Sequence, residues 1–362
     1  MKLFTILIVV FILITPISAT DLEENQKDLF GTDQLESSLN ETTQSLMGDI
    51  GLDNLDFGTN VLEILINGIN QSFSGIKSAL SVAVSMMAVV MLSALVTQME
   101  SQHSKQAVLL AGVLALTVLS VNSVGTMVDL GKETLAELEG FTTILFPILA
   151  TATAASGGVA TSTVLYAGSV FLTNVILSAM TTFLVPLVYA YLAISAAQAL
   201  LGNHALKRIQ SLMKWCISKG IKWLLWGFSG YLSLSGIVSG VGDTTAIKAV
   251  KLTFSAVVPV VGSMISDASE TVLVSAAMIR NAIGIFGMLA VIAICILPLL
   301  RLVMQYVVLK ITAAVSATIG NRQLTDFMES VADAMGFLAG MTGACGFMML
   351  ISCVCTVKAV TG

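Results

Sequence analysis

Long apolar runs separated by short polar stretches dominate the chain and predict membrane-spanning helices. A helix needs about 20 apolar residues to cross a bilayer. On that basis the pattern predicts about eight transmembrane helices within a polytopic domain of residues 79–362, and the predicted fold class is all-α. In the block from Phe141 to Leu201 only the polar residues around Thr181 separate two of the spans. The predicted spans are 79–97, 107–128, 141–157, 162–179, 182–201, 223–241, 279–307 and 332–357.

Three different patterns precede these spans. Residues 1–19 combine Lys2 with an apolar core and small residues, which is typical of a signal peptide; an uncleaved anchor would have the same pattern. Residues 20–60 hold ten acidic residues and one lysine, and they predict an acidic exported segment that is flexible or depends on a partner. Residues 61–78 predict an amphipathic helix that lies on the membrane surface or on other helices. Its predicted apolar face consists of Leu62, Leu65, Ile69 and Phe73.

The composition excludes a soluble globular protein. The chain is 56% hydrophobic and 11% charged, whereas soluble domains contain about 25% charged residues. Its five cysteines all lie in or beside apolar runs. They therefore predict buried thiols and no disulfide framework.

The charges between the spans predict an orientation. The stretch 129–140 is acidic, which favours the exported side, whereas 203–223 carries five basic residues and no acid, which favours the cytoplasm. An odd number of spans must then separate the two stretches, and three fit the intervening length. In this topology the stretch 310–326 is cytoplasmic as well. The residues predicted to contact cytoplasmic partners are Lys207, Arg208, Lys214 and Lys219.

The stretch 244–273, "TTAIKAVKLTFSAVVPVVGSMISDASETVL", interrupts the apolar pattern on the predicted exported side. Pro259 and Gly262 predict the end of a first helix, and Asp267 with Glu270 predicts a capping box that opens a second one. The resulting helix–break–helix lies in the membrane interface or enters the membrane as a re-entrant hairpin. The candidate residues of this pathway or docking element are Lys248, Lys251, Pro259, Gly262, Asp267 and Glu270.

Few motifs indicate chemistry. "GVGD" (Gly240–Asp243) matches the motif of intramembrane aspartyl proteases, which need a second aspartate. The other candidate, Asp333, lies at the cytoplasmic end of the last predicted span, on the opposite side from Asp243. Arg280 is predicted to anchor one membrane interface, and Arg301 is predicted to extend toward the other. No metal, nucleotide or dinucleotide motif is present, so we expect no enzymatic activity, no cofactor and no nucleic-acid partner.

The stretch "GVGDTTAIKAVKLTFSAVVPVVGSMISDASETVL" (240–273), with the signal peptide, the acidic segment and a Gly/Ser-rich polytopic body, resembles the stage III sporulation protein AE family. The resemblance implies a non-enzymatic membrane component of the channel or secretion-like complex that joins mother cell and forespore. That complex is needed for sporulation and late forespore development. The implied location is the mother-cell (outer forespore) membrane. The resemblance implies a multi-pass protein in that lipid bilayer.

The partners that the resemblance implies are other membrane subunits and ring-forming subunits of that complex, and a separate cytoplasmic ATPase. The family has no catalytic signature, so no residue role is carried over. Two alternatives remain at this point. One is an independent small-molecule permease, for which the sequence shows no convincing internal repeat; the other is an intramembrane aspartyl protease that uses "GVGD".

Overall fold

The structure is a computed structural model of the chain, and every element in the residues that it describes is a helix. The predicted signal peptide, residues 1–19, lies outside these residues. For 232–257 and 262–275 the backbone alone is described. The structure describes residues 32–48, 50–51, 55–99, 102–156, 168, 171–257, 262–318 and 321–358.

The helices are numbered here in chain order. Two short ones come first, and six long ones form the bundle. They are α1 (Thr32–Ser37), α2 (Glu41–Met47), α3 (Phe57–Met99), α4 (Gln102–Ala155), α5 (Phe171–Leu201), α6 (His204–Val257), α7 (Gly262–Ser316) and α8 (Arg322–Lys358).

The long helices run straight through stretches that the charge pattern predicts to be loops. The 54 residues of α4 include the predicted spans 107–128 and 141–157 and the acidic stretch between them. The stretch 203–223 is predicted as a cytoplasmic loop, but all of it except Asn203 forms the beginning of α6. Both loop predictions are therefore wrong. Charged residues do not interrupt backbone hydrogen bonding, so a helix continues through them when their side chains can reach its outer surface.

Five of the described helices are long and apolar enough to cross a membrane. The chain is thus a multi-pass membrane protein by the length and composition of its helices, but the predicted count of eight spans is not confirmed. The predicted span 223–241 lies on α6, which is not one of the five. The five candidate spans are Gly75–Thr97, Gln106–Ala155, Phe171–Leu201, Ala276–Ser316 and Arg322–Val354.

The helices α7 and α8 form the centre of the bundle. They are antiparallel and pack closely because α8 places glycines against side chains of α7: Gly346 faces Cys295, and Gly336 faces Tyr306. The other long helices surround this pair, with α3, α4 and α6 each in contact with both central helices. In lipid, small residues of this kind allow the close van der Waals contact on which helix association depends.

The three hairpins α3/α4, α5/α6 and α7/α8 all reverse direction at one end of the bundle, which we call the turn end. Gly202 closes α5 with a φ of 61°, a left-handed conformation that glycine adopts without steric cost. Asn203 and Asn321 then accept hydrogen bonds from the first turns of α6 and α8. Short polar turns of this kind hold the two helices that they connect in an antiparallel arrangement.

Proline residues interrupt three of the long helices. In α5 a π-helical turn, Met180–Leu184, ends two residues before Pro186. Pro147 lies inside α4 and Pro298 inside α7. Because proline has no backbone N–H, each of these positions removes one hydrogen bond to the residue four positions earlier.

Part of the acidic N-terminal segment, predicted to be flexible or to depend on a partner, packs against the bundle of the same chain. Leu35 of α1 and Leu46 of α2 are fully buried, because both helices pack into the space beside α4 and α7. The predicted amphipathic helix is the first part of α3. Its predicted apolar residues Leu62 and Phe73 are exposed, and Ser72 on another face is buried.

Asp56 caps the start of α3. Its carboxylate accepts hydrogen bonds from the Thr59 hydroxyl at 2.8 Å and from the Gly58 N–H at 3.2 Å. These bonds, the first of them most, lower the pKa of Asp56 below its ordinary value of 3.8.

A lowered pKa in the folded chain means that the cap stabilises the helix above the unfolded pKa and is lost as the pH falls through the folded pKa. We therefore expect the amide protons of Gly58 and Thr59 to lose protection against hydrogen exchange below about pH 4. The measurement is hydrogen exchange in detergent, corrected for the intrinsic rate at each pH. In Asp56→Asn this additional loss should disappear, and the prediction fails if both chains respond alike.

Candidate functional site

The basic residues of α6 form ion pairs with the acidic residues of α8. The two helices run parallel, and the pairs are two turns apart on each. Lys207 lies 3.8 Å from Asp326, and Lys214 forms a short ion pair with Asp333. The same face of α6 therefore meets the same face of α8 at two successive levels.

Asp333 is the centre of this arrangement. Its side chain is 13% exposed, and it pairs with Lys310 of α7 at 3.1 Å in addition to Lys214. Lys310 also donates a hydrogen bond to Glu329 at 2.7 Å. One carboxylate thus links α6, α7 and α8. The six residues Lys207, Lys214, Lys310, Asp326, Glu329 and Asp333 are called the charged groove below.

Neutral polar groups continue the charged groove toward α5. The Gln210 side-chain amide donates hydrogen bonds to the hydroxyl oxygens of Ser195 (2.9 Å) and Ser330 (2.7 Å). The Tyr191 hydroxyl lies 3.4 Å from the Asp333 carboxylate. Tyr191, Gln210 and Ser330 line a cavity of about 220 Å³ together with most of the charged groove. The site is therefore an open polar cleft lined by α5, α6 and α8, and Lys310 of α7 joins it through Asp333.

The position of the charged groove restricts what can cover it. Four of its members, Lys310, Asp326, Glu329 and Asp333, lie within candidate spans. Charged side chains within a membrane are costly and face the bundle interior, a water-filled cavity or another protein. Other faces of the same bundle are apolar and suit lipid. Exposed residues there include Leu80, Val84, Leu92, Leu114 and Val118.

The predicted cytoplasmic contacts divide into two groups. Lys207 and Lys214 belong to the charged groove, where their ammonium groups pair with α8. Arg208 and Lys219 are exposed, and neither has an ion-pair partner among the residues that the structure describes. The sequence holds a signal for this division. Lys207 and Lys214 are two turns apart, and Asp326, Glu329 and Asp333 repeat at helical spacing.

The predicted pathway element, residues 244–273, is described in its backbone only. Lys248 and Lys251 lie in the last turns of α6, which ends at Val257. Pro259 lies outside the described residues. Gly262 is the first residue of α7, so Asp267 and Glu270 fall inside that helix. The predicted helix start at Asp267 is therefore wrong by about one and a half turns.

A second polar site, which the sequence reading did not find, lies between α2, α4 and α7. The Glu137 carboxylate of α4 accepts hydrogen bonds from Asn40 at 2.6 Å and from Thr43 at 2.7 Å. Arg301 and Pro298 line the same cavity, of about 340 Å³. The Nε atom of Arg301 is buried without a hydrogen-bond partner. These contacts fasten α2 to the bundle.

Arg280 is enclosed by the bundle and does not serve as an exposed interface anchor. Its side chain is 1% exposed. It donates to the Ser156 hydroxyl at 3.4 Å and to the Asn281 side chain at 3.2 Å. No carboxylate in the described part of the chain pairs with it. The sequence could not reveal this, because burial depends on which helices cover the residue.

The aspartyl-protease alternative needs two neighbouring aspartates. Asp333 is already paired with two lysines, one of them Lys214. Asp243 lies on the same helix as Lys214, about 44 Å further along at 1.5 Å per residue. A continuous α6 therefore keeps the two carboxylates apart.

Comparisons with known proteins agree on one family. The family model described as Stage III sporulation protein AE matches residues 37–360. A curated relative, Stage III sporulation protein AE of Bacillus subtilis (strain 168), is 20% identical over 239 residues. That alignment covers 66% of this chain and 60% of the relative. No solved structure matches the chain. These matches give no support to a permease or a protease.

Proposed function

Because the chain belongs to the stage III sporulation protein AE family, we propose that it is a non-enzymatic membrane component of the complex that joins mother cell and forespore. In this proposal it lies in the mother-cell (outer forespore) membrane and supplies a platform or conduit. It works with other membrane subunits, ring-forming subunits and a separate cytoplasmic ATPase. Its activity is structural and serves late forespore development.

The charged groove is the observation that supports the conduit role. Lys214 and Lys310 lie on helices that expose apolar side chains at the same level, Leu212 and Trp215 on α6 and Val307 and Ile311 on α7. A polar cleft within candidate spans suits either water or another subunit, and both fit a channel complex. Lipid alone would favour apolar side chains at these positions.

The two ends of the bundle receive different partners in this proposal. The turn end carries Arg208 near the start of α6, and basic residues between spans favour the cytoplasm. Arg208 is thus the residue that we assign to cytoplasmic partners. Lys219 lies about 24 Å from the turn end and is considered below. The opposite end, with Lys248, Lys251, Pro259, Gly262, Asp267 and Glu270, faces partners in the intermembrane space.

The test removes the four charges of the network around Asp333, three of them by apolar residues of similar volume and the fourth by a neutral amide. The variant carries Lys214→Met, Lys310→Met, Glu329→Gln and Asp333→Leu. Complete replacement of an ion-pair network is usually neutral or stabilising, so we expect normal membrane levels and an unchanged melting temperature in detergent. In a spore-forming host that lacks its own relative, we expect spore yield to fall to the level of the empty vector.

A matched control leaves the groove intact and removes exposed charges on α3, with Glu63→Gln and Lys77→Gln, both exposed in the structure. This control should restore sporulation to the wild-type level. Wild-type sporulation by the apolar groove variant would contradict the conduit role and leave the groove a purely structural feature.

A further inference from the structure

One cross-section of the bundle brings α4 and α6 to the same level on two sides of α8. Gly340 of α8 lies against Ile221 of α6, and Thr342 of α8 lies against Gly131 of α4. The residues on either side of Ile221 and Gly131 are therefore level with each other along the bundle axis.

The outward side of α6 at this level is basic and aromatic. Lys219 and Lys222 are exposed, and Trp223 and Trp226 are 69% and 81% exposed. No acidic residue occurs in α6 from His204 to Tyr231. Slightly further along, Gly227 has open space where a side chain would stand. Lys219, Lys222, Trp223, Trp226 and Gly227 are called the α6 face.

The outward side of α4 at this level is acidic and contains small residues. Asp129, Glu133 and Glu139 are exposed, with Lys132 as the one basic residue among them. Neither Asp129 nor Glu133 has an ion-pair partner in the described part of the chain. Ala136 is exposed, and Gly140, about one turn further along α4, has open space beside it. These six residues are called the α4 face.

We propose that the α6 face binds the α4 face of a second copy of this chain. A rotation about an axis parallel to the helices keeps every residue at its own level, so copies in one membrane meet with α6 and α4 aligned. Lys219 and Lys222 then oppose Asp129 and Glu133. Trp226 then lies within about 3 Å, along the axis, of the level of Ala136, where a small residue leaves room. Because the two faces differ, the contact is heterologous and closes into a ring or continues as a row.

Anionic lipid headgroups are the other ligand that lysines and tryptophans at this level would suit. They would not explain the acidic α4 face or its match in level. The inference also stands apart from the proposed function, because self-association is measured on the purified protein and needs no sporulation readout.

The test uses two charge-reversed forms of the full chain. The first carries Lys219→Glu and Lys222→Glu, and the second carries Asp129→Lys and Glu133→Lys. We expect wild type to be oligomeric in nanodiscs by native mass spectrometry. Each variant alone should associate at least about 100-fold more weakly, because like charges then face each other. An equal mixture of the two should assemble again, with both variants in every oligomer.

Far-UV circular dichroism and melting temperature establish that each variant is folded. If a charge-reversed variant is not folded, a cysteine experiment replaces it. One tagged copy carries Lys222→Cys and a differently tagged copy carries Glu133→Cys, both in a Cys216→Ser background, and the two copies should form a disulfide with each other. Monomeric wild type, assembly of either variant alone, or failure of the mixture or of the mixed disulfide would each overturn the inference. Loss of binding to anionic vesicles by the first variant, with its oligomeric state unchanged, would assign the α6 face to lipid.

Discussion

Replacing Asp333 by alanine is expected to lower the free energy of unfolding by about 2–4 kcal/mol. The residue is 13% exposed and pairs with Lys214 and Lys310, so its removal leaves Lys214 facing Lys310, and only Lys310 keeps a carboxylate partner, Glu329. The effect is below the full cost of breaking a buried pair, because both lysines are partly exposed to solvent. Unfolding by a graded mixture of denaturing and mild detergents, followed by circular dichroism, measures it.

Two controls separate charge from shape in this experiment. Asp333→Asn keeps the shape of the side chain but removes its charge. It should therefore cause most of the decrease in the free energy of unfolding that Asp333→Ala causes. Asp326→Asn removes a more exposed carboxylate with a single partner at 3.8 Å, and it should cost less than about 1 kcal/mol. Equal effects for the two positions would contradict the central role of Asp333.

Replacing Gly346 by valine is expected to destabilise the α7–α8 contact by about 3 kcal/mol. A Cβ at Gly346 would lie 2.7 Å from the Sγ atom of Cys295. Because α7 and α8 form the centre of the bundle, neither helix can move away without disturbing its other neighbours. The same detergent unfolding experiment measures the loss.

The matched control for Gly346 is Gly125→Ala on α4, where nothing lies within 4 Å of the added carbon. Alanine there should stabilise the helix by up to about 1 kcal/mol, since glycine is a poor helix former. The double variant Gly346→Ala with Cys295→Ala should recover most of the stability lost by Gly346→Ala alone. A neutral Gly346→Val variant would mean that α7 and α8 are further apart than the structure has them.

The helical class could be predicted from the apolar runs, but the length of the helices could not. The stretch 129–140 reads as a loop because charges are costly in lipid. In the structure, the exposed charges of this stretch lie on the outer surface of α4, and Glu137 is held by Asn40 and Thr43 of the N-terminal segment. Those contacts join residues 94 and 97 positions apart. Periodicity and charge counting are local and do not detect them.

The candidate site shows a similar division. The spacing of Lys207 and Lys214 and of Asp326, Glu329 and Asp333 predicts that each set shares a helical face. It does not say that the two faces meet. That depends on the parallel packing of α6 and α8, which the turn at Gly202 and the contacts of α5 establish together. Pairing of this kind is a property of the assembled bundle.

The two prolines of α4 and α7 have a mechanical consequence. Each marks the point at which its helix bends most easily, yet the points do not coincide. The antiparallel contacts of Leu145 with Gly287 and of Ser123 with Gln305 place Pro298 about 22 Å along the bundle from Pro147. An uninterrupted stretch of one helix therefore lies beside the proline of the other. The pair consequently resists bending at any single level along the bundle.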